Sequence, residues 1–189
     1  VGAGGLQDSE VTGQIAIGNN GDGLWFDWLN ANDRVHGNVV AYNSGFGIQY
    51  EASQAGYIYD NYVFSNGQRG IYLPDAARSV VAHNLVAKNA MEGIAIVDEG
   101  RGTPNPALVP RDNAVYGNLV AWNGKAALVL PAGGLGNTSD YNLFVRGAAI
   151  GFVVPFLATA WPVLRALRVM PVDAITTTHA SREGTPASR

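Results

Sequence analysis

The chain has 189 residues, only 14% of them charged, with a formal net charge of -3. No basic run and no interleaving of aromatic with basic residues occurs, which excludes nucleic acid as a partner. Cysteine is absent, so disulfides, thiolate metal sites and cysteine nucleophiles are excluded as well.

In chain order, the first ten residues, VGAGGLQDSE, carry no basic and apolar export leader and open as though inside a repeat unit. A fixed period then emerges. The segments GNVVAYN (Gly37 to Asn43), DNYVFSN (Asp60 to Asn66), HNLVAKN (His83 to Asn89) and GNLVAWN (Gly117 to Asn123) each hold an apolar pattern between two asparagines. The first asparagine falls at 38, 61, 84, 118 and 142 and the second at 20, 43, 66, 89 and 123, steps close to 23 broken once by an insertion of 11. Such self-similarity marks a repeat architecture.

Each unit carries a further apolar segment behind a glycine: GLWFD from Gly23, GIQYE from Gly47, GIYLP from Gly70 and GIAIV from Gly93. Two or three short strands per unit, alternating with period two, are too short for a propeller blade or a helical hairpin. They predict an all-β fold in which each unit is one coil of a parallel β-helix. Val35, Ile58, Val81 and Val115 would stack inward, as would Val40, Val63, Val86 and Val120. Asparagines recurring at bends pair their amides with backbone and with one another, which gives the ladder a structural role.

The segments NVVAYNSGFGIQYEAS, NYVFSNGQRGIYLPDA and NLVAKNAMEGIAIVDE resemble the right-handed parallel β-helix repeats of the pectin-lyase-like superfamily, over residues 11 to 145. The resemblance implies a right-handed solenoid and a secreted or cell-surface protein. That architecture serves polysaccharide lyases, glycoside hydrolases, uronate epimerases, esterases and adhesins, so function has to be sought in the side chains. Neither the Asp-Pro-His-Asp motif of alginate epimerases nor the NTD and GHG motifs of polygalacturonases is present.

With Leu24, Ile48, Ile71 and Ile94 aligned inward, Trp25, Gln49, Tyr72 and Ala95 form an outward row, and the next outward position holds Asp27, Glu51, Pro74 and Val97. Asp27 and Glu51 are thus expected on adjacent coils with backbones about 4.8 Å apart. Two carboxylates at that separation need compensation. A shared proton would prepare an acid and a base or nucleophile for glycoside cleavage; a bound Ca²⁺ would neutralise both; solvated side chains would splay apart. No other cofactor is implied. Trp25, Gln49 and Tyr72 would supply substrate contacts, Trp28 lies on the following turn, and Arg34 and Arg69 are the cations to consider beside the acids. His36, outward on the strand Arg34-Val35-His36 with Tyr59 as its equivalent, is the remaining candidate proton carrier.

The insertion DEGRGTPNPALVP (Asp98 to Pro110) is expected to form a loop on one face, where Asp98, Glu99 and Arg101 could overhang the acidic row or simply face solvent. Residues 1–145 are therefore expected to form the coils. Residues 146–189 are expected to form an end-piece, in which Leu157 to Met170 supply a short capping helix before the loose tail TTTHASREGTPASR. The apolar stretch Ala148 to Leu167 is interrupted by Pro155, Pro162 and Arg165, which argues against a membrane span.

The resulting expectation is a carbohydrate-active β-helix that binds, and in one version cleaves, a polysaccharide. Hydrolysis by Asp27 and Glu51 is preferred over lyase chemistry, for which strong bases are scarce. The alternatives are a non-catalytic surface, adhesion or carbohydrate-binding module, or a fragment of a larger β-helix enzyme. Oligomeric state is not legible.

Overall fold

The computed structural model describes residues 5–133 and 135–146. They form a right-handed parallel β-helix. The first coil contains β1 (Glu10–Thr12), β2 (Ile15–Ile17) and β3 (Leu24–Phe26); the second β4 (Arg34–His36), β5 (Val39–Ala41) and β6 (Ile48–Tyr50). The third has β7 (Tyr57–Tyr59), β8 (Tyr62–Phe64) and β9 (Ile71–Pro74), the fourth β10 (Val80–Ala82), β11 (Leu85–Ala87) and β12 (Ile94–Val97). After one short 3-10 turn (Pro106–Leu108) come β13 (Ala114–Tyr116), β14 (Leu119–Ala121) and β15 (Leu128–Val129), then β16 (Thr138–Asp140) and β17 (Leu143–Val145).

Three parallel sheets result. The first runs β1-β4-β7-β10-β13-β16, the second β17-β14-β11-β8-β5-β2, and the third β15-β12-β9-β6-β3. Register follows the repeat: Val35 faces Val11 and Ile58, and Leu24, Ile48, Ile71 and Ile94 face one another in turn. The expected inward stacks Val35-Ile58-Val81-Val115 and Val40-Val63-Val86-Val120 are fully buried. Each such side chain contributes about 1.5–3 kcal/mol by leaving water. Stacking identical shapes coil upon coil fills the interior without a second layer.

The bends are held by asparagine. Asn61 accepts from the backbone and side-chain amides of Asn38, and donates to Asn84 Oδ1 at 2.9 Å and to Val35 O at 2.9 Å. The ladder continues through Asn118 to Asn142. A second ladder joins Asn43, Asn66, Asn89 and Asn123, and its first member is Asn19 rather than the Asn20 expected from the sequence. The reason is length: the step from Asn19 to Asn43 is 24 residues, one more than between the next coils, and Asn20 accepts from Ser44 Oγ instead.

Glycine is required where the third sheet begins. A Cβ on Gly23, Gly47, Gly70 or Gly93 would collide with the inward valine that follows on the next coil and with a ladder asparagine. The expected cap from Leu157 to Met170, the apolar stretch and the tail lie outside the described residues.

Candidate functional site

The third sheet carries the outward row expected from the sequence. Trp25 pairs with Gln49, Gln49 with Tyr72, and Tyr72 with Ala95. Exposure divides the row. Trp25 remains 58% exposed, whereas Gln49 is buried against Glu51 and Tyr72 is buried under Glu99 of the insertion, Arg69 and Phe46. Tyr72 Oη donates to Glu99, while burial and that carboxylate together push the phenol up from its ordinary value.

Arg101 anchors the insertion. Its Nη2 lies 2.6 Å from Glu51 Oε1 and its Nη1 2.7 Å from Asp75 Oδ2, with Glu99 Oε2 at 3.3 Å. A guanidinium fork serves two carboxylates at once through separate nitrogens in a fixed plane, whereas a lysine would have to bring both to one compact ammonium. Burial works against the charge on Arg101, but Asp75 and Glu51 outweigh it and hold the cation more firmly than in water. Asp75, with no exposure at all, also accepts from the amide of Glu99 at 2.8 Å. Burial raises its pKa, and these bonds offset only part of that rise.

Glu51 is fully engaged. Besides Arg101, Trp25 Nε1 donates to its Oε2 at 3.0 Å and Gln49 Nε2 donates to the same oxygen at 2.6 Å. Asp27 differs: it is exposed and has no hydrogen-bond or ion-pair partner among the described residues. The two acids are equivalent in the repeat, but the chain handles them differently. Strand β3 ends at Phe26, and the first coil then spends one more residue than the second before the chains realign at Leu29, whose amide donates to Ala52 O. Trp28 and Leu29 both take left-handed backbone conformations in this longer bend (φ 62° and 61°). The expected stack of Asp27 on Glu51, with a shared proton or Ca²⁺, gives way to an ion-paired Glu51 beside an open Asp27.

Arg69 stands over the Tyr72 ring at 4.3 Å and pairs with Glu92 at 2.8 Å. Burial alone would raise the pKa of Glu92, but a backbone amide and Arg69 overrule it and keep the group below its ordinary value. Lys125 approaches the same carboxylate at 3.8 Å. Arg34 and His36 lie elsewhere, on β4 of the first sheet. His36 Nε2 donates to Glu10 Oε1 at 2.9 Å and its ring stacks on Tyr59 at 4.5 Å, while Arg34 reaches Glu10 at 3.7 Å. Sequence reasoning put Arg34 among the cations near the acids; the sheet assignment separates them. A shallow cavity of about 340 Å³ lies at the bend between the first two sheets, lined by Asp60, Tyr62, His83 and Leu119, not on the third-sheet face.

Asp75 escaped the sequence reading. Its signal was a carboxylate next to Pro74 with Asp98 at the equivalent place one coil on, but Asp98 opens the insertion and so reads as loop rather than row. The grip of Arg101 on Glu51 spans 50 residues and was visible only as an insertion with a cation in it.

Residues 4–127 match the family model described as periplasmic copper-binding protein (NosD). The chain belongs to the NosD family. A solved structure with a similar fold is a mutant of the periplasmic alginate epimerase AlgG, with 16% identity and a TM-score of 0.62, covering 73% of this chain and 34% of that enzyme. The chain thus spans about a third of that relative's length, and the likeness is one of fold. No curated protein matches it. The copper in the NosD family's description meets no matching donor set: among the described residues no three of His, Cys, Asp and Glu come together to hold a metal ion. His36 is occupied by Glu10, and Glu51 by Arg101. Among the described residues, no helix of this NosD-family chain is long and apolar enough to cross a membrane.

Proposed function

We propose that the chain is an extracytoplasmic carbohydrate-binding β-helix that holds a polysaccharide on the third-sheet face, over Trp25, Asp27 and Trp28. The observation that carries this reading is Trp25, whose indole is 58% exposed yet fixed through Nε1 to Glu51. A flat apolar face held rigidly on a sheet offers a sugar ring a stacking surface with little entropy left to lose. Trp28, 48% exposed on the same bend, extends that surface, and Asp27 between them supplies acceptors for hydroxyl groups. The extracytoplasmic location is supported by the descriptions of the NosD family and of AlgG, both periplasmic.

Binding is favoured over cleavage. In a carboxylate pair that cleaves glycosides, one group hands a proton to the leaving oxygen and the other attacks or activates water. Glu51 is held by a guanidinium and two N–H donors, which occupy both of its oxygens and leave neither aimed at a substrate. Its role in this reading is to position Trp25, so the Asp27 and Glu51 pair is a binding wall.

The test is a calorimetric titration with a panel of polysaccharides, run beside assays for new reducing ends and for unsaturated products, with and without Ca²⁺. Binding without turnover, lost in Trp25→Ala and weakened in Trp28→Ala, is the expected result. Turnover abolished by Asp27→Asn or Glu51→Gln would replace this reading with an enzymatic one.

A further inference from the structure

The charge inventory of the same face narrows the ligand, in an inference that rests on the binding reading above. Every cation along the third sheet among the described residues is already spent. Arg101 is divided among Glu51, Asp75 and Glu99, and Arg69 and Lys125 share Glu92. The anions are not all spent. Asp27 has no partner among the described residues, and Asp98, exposed at the start of the anchored loop, accepts from the amide of Gly100 at 2.8 Å but meets no cation there. A chain of uronates laid along this face would bring a carboxylate on every ring towards acids that no cation neutralises, with no free guanidinium or ammonium among the described residues to receive it. Like charges that cannot be paired work as discrimination against such a partner.

We propose that the Trp25-Asp27-Trp28 bend takes a glycan bearing protonated amines, an amino-sugar polymer, in preference to a neutral or a uronate one. An ammonium set beside an indole face gains from the ring quadrupole, and tryptophan is the ring that gives most. A free carboxylate on the same bend adds a charge partner, with exposed Trp28 next to Asp27 in the chain and exposed Trp25 two residues before it. Glu51 cannot take that part, because Arg101 already neutralises it. The attraction acts between exposed groups, so it weakens as salt rises.

The test uses the whole chain and three sets of oligosaccharides of matched length: β-linked glucosamine oligomers, their N-acetylated counterparts, and oligouronates. Affinities are measured by calorimetry at low and at high salt. The amino oligomers are expected to bind about tenfold more tightly than the acetylated ones, the size of one exposed ion pair plus one cation–π contact. That advantage should shrink at high salt. Asp27→Asn is expected to remove the advantage, read as the ratio of amino to acetylated affinities in the one variant, with an unchanged melting midpoint separating loss of charge recognition from loss of fold. Equal affinity for amino and acetylated oligomers, a preference for oligouronates, or an advantage that survives Asp27→Asn overturns the proposal while leaving carbohydrate binding standing. Failure of all three sets to bind overturns both.

Discussion

The guanidinium of Arg101 joins Glu51 and Asp75, at 2.6 and 2.7 Å, two carboxylates that belong to successive coils. One side chain thereby fastens a thirteen-residue excursion, Asp98 to Pro110, to the body of the solenoid and settles which part of the third-sheet face is open. Gln49 and Tyr72 are buried, and Trp25 is left in solvent.

Removing that clasp leaves two carboxylates, one with no exposure, without their cation. Because Arg101 is itself about a third exposed, the lower part of the usual range applies, and Arg101→Ala is expected to cost about 2–3 kcal/mol in urea unfolding. Arg101→Lys should recover less than half of the loss, since an ammonium lacks the fork. Full recovery by lysine would show that charge alone, not two-pronged geometry, holds the loop.

The ladder predicts a larger effect from a smaller side chain. The side chain of Asn61 makes four hydrogen bonds, all within 3.1 Å and all shielded from water. Asn61→Ala is expected to destabilise the protein by about 2–4 kcal/mol, because it also takes the acceptor from the buried amide of Asn38 and a donor from the carbonyl of Val35. Unfolding in urea measures it; a loss below about 1 kcal/mol would mean that water replaces the ladder.

Asp33 sets a pH dependence. It is buried, accepting from the amide of Ser9 at 3.0 Å, while Tyr50 Oη lies 3.1 Å from its Oδ2 and 3.0 Å from the carbonyl of Gln54. One phenol proton cannot fully serve two acceptors, but a protonated Asp33 can donate to Tyr50 while Tyr50 donates to Gln54. Burial raises the pKa of Asp33 above 3.8, against the pull of Ser9 and Tyr50. With the folded value above the unfolded one, the stabilisation is complete below 3.8 and is lost as pH rises through the folded value. Asparagine fills the equivalent ladder position at Asn113 and Asn137. Asp33→Asn is therefore expected to melt higher than the parent at neutral pH, with the gap closing towards 3.8. Thermal melts across that range decide it, and a mutant less stable at neutral pH refutes the assignment.

Gly70 tests close packing. A methyl there meets Val86 Cγ1, the Asn89 amide and the carbonyl of Gly93, two of which belong to the ladder and backbone and cannot yield. Gly70→Ala should destabilise by about 1–3 kcal/mol, although alanine is less costly to order than glycine. Calorimetric melting reads the difference, and an unchanged or raised midpoint would show that the coils can part to admit a methyl.

The sequence by itself determined the solenoid, its period, the inward valines and isoleucines, and the ladder positions save the first of the second ladder, which is Asn19 and not Asn20. Each of these depends on a local pattern repeated in phase: alternation decides which side chains turn inward, and stacking asks only that the next coil do the same. It also placed Trp25, Gln49 and Tyr72 in one row and aligned Asp27 with Glu51. Only the tertiary structure decided what those residues became. The fate of Glu51 depends on Arg101, which reaches back from a segment that has no counterpart in the repeat. The openness of Asp27 depends on one extra residue in a bend. Non-periodic loops and the charge pairs they carry are set by geometry across coils, so no spacing along the chain announces them.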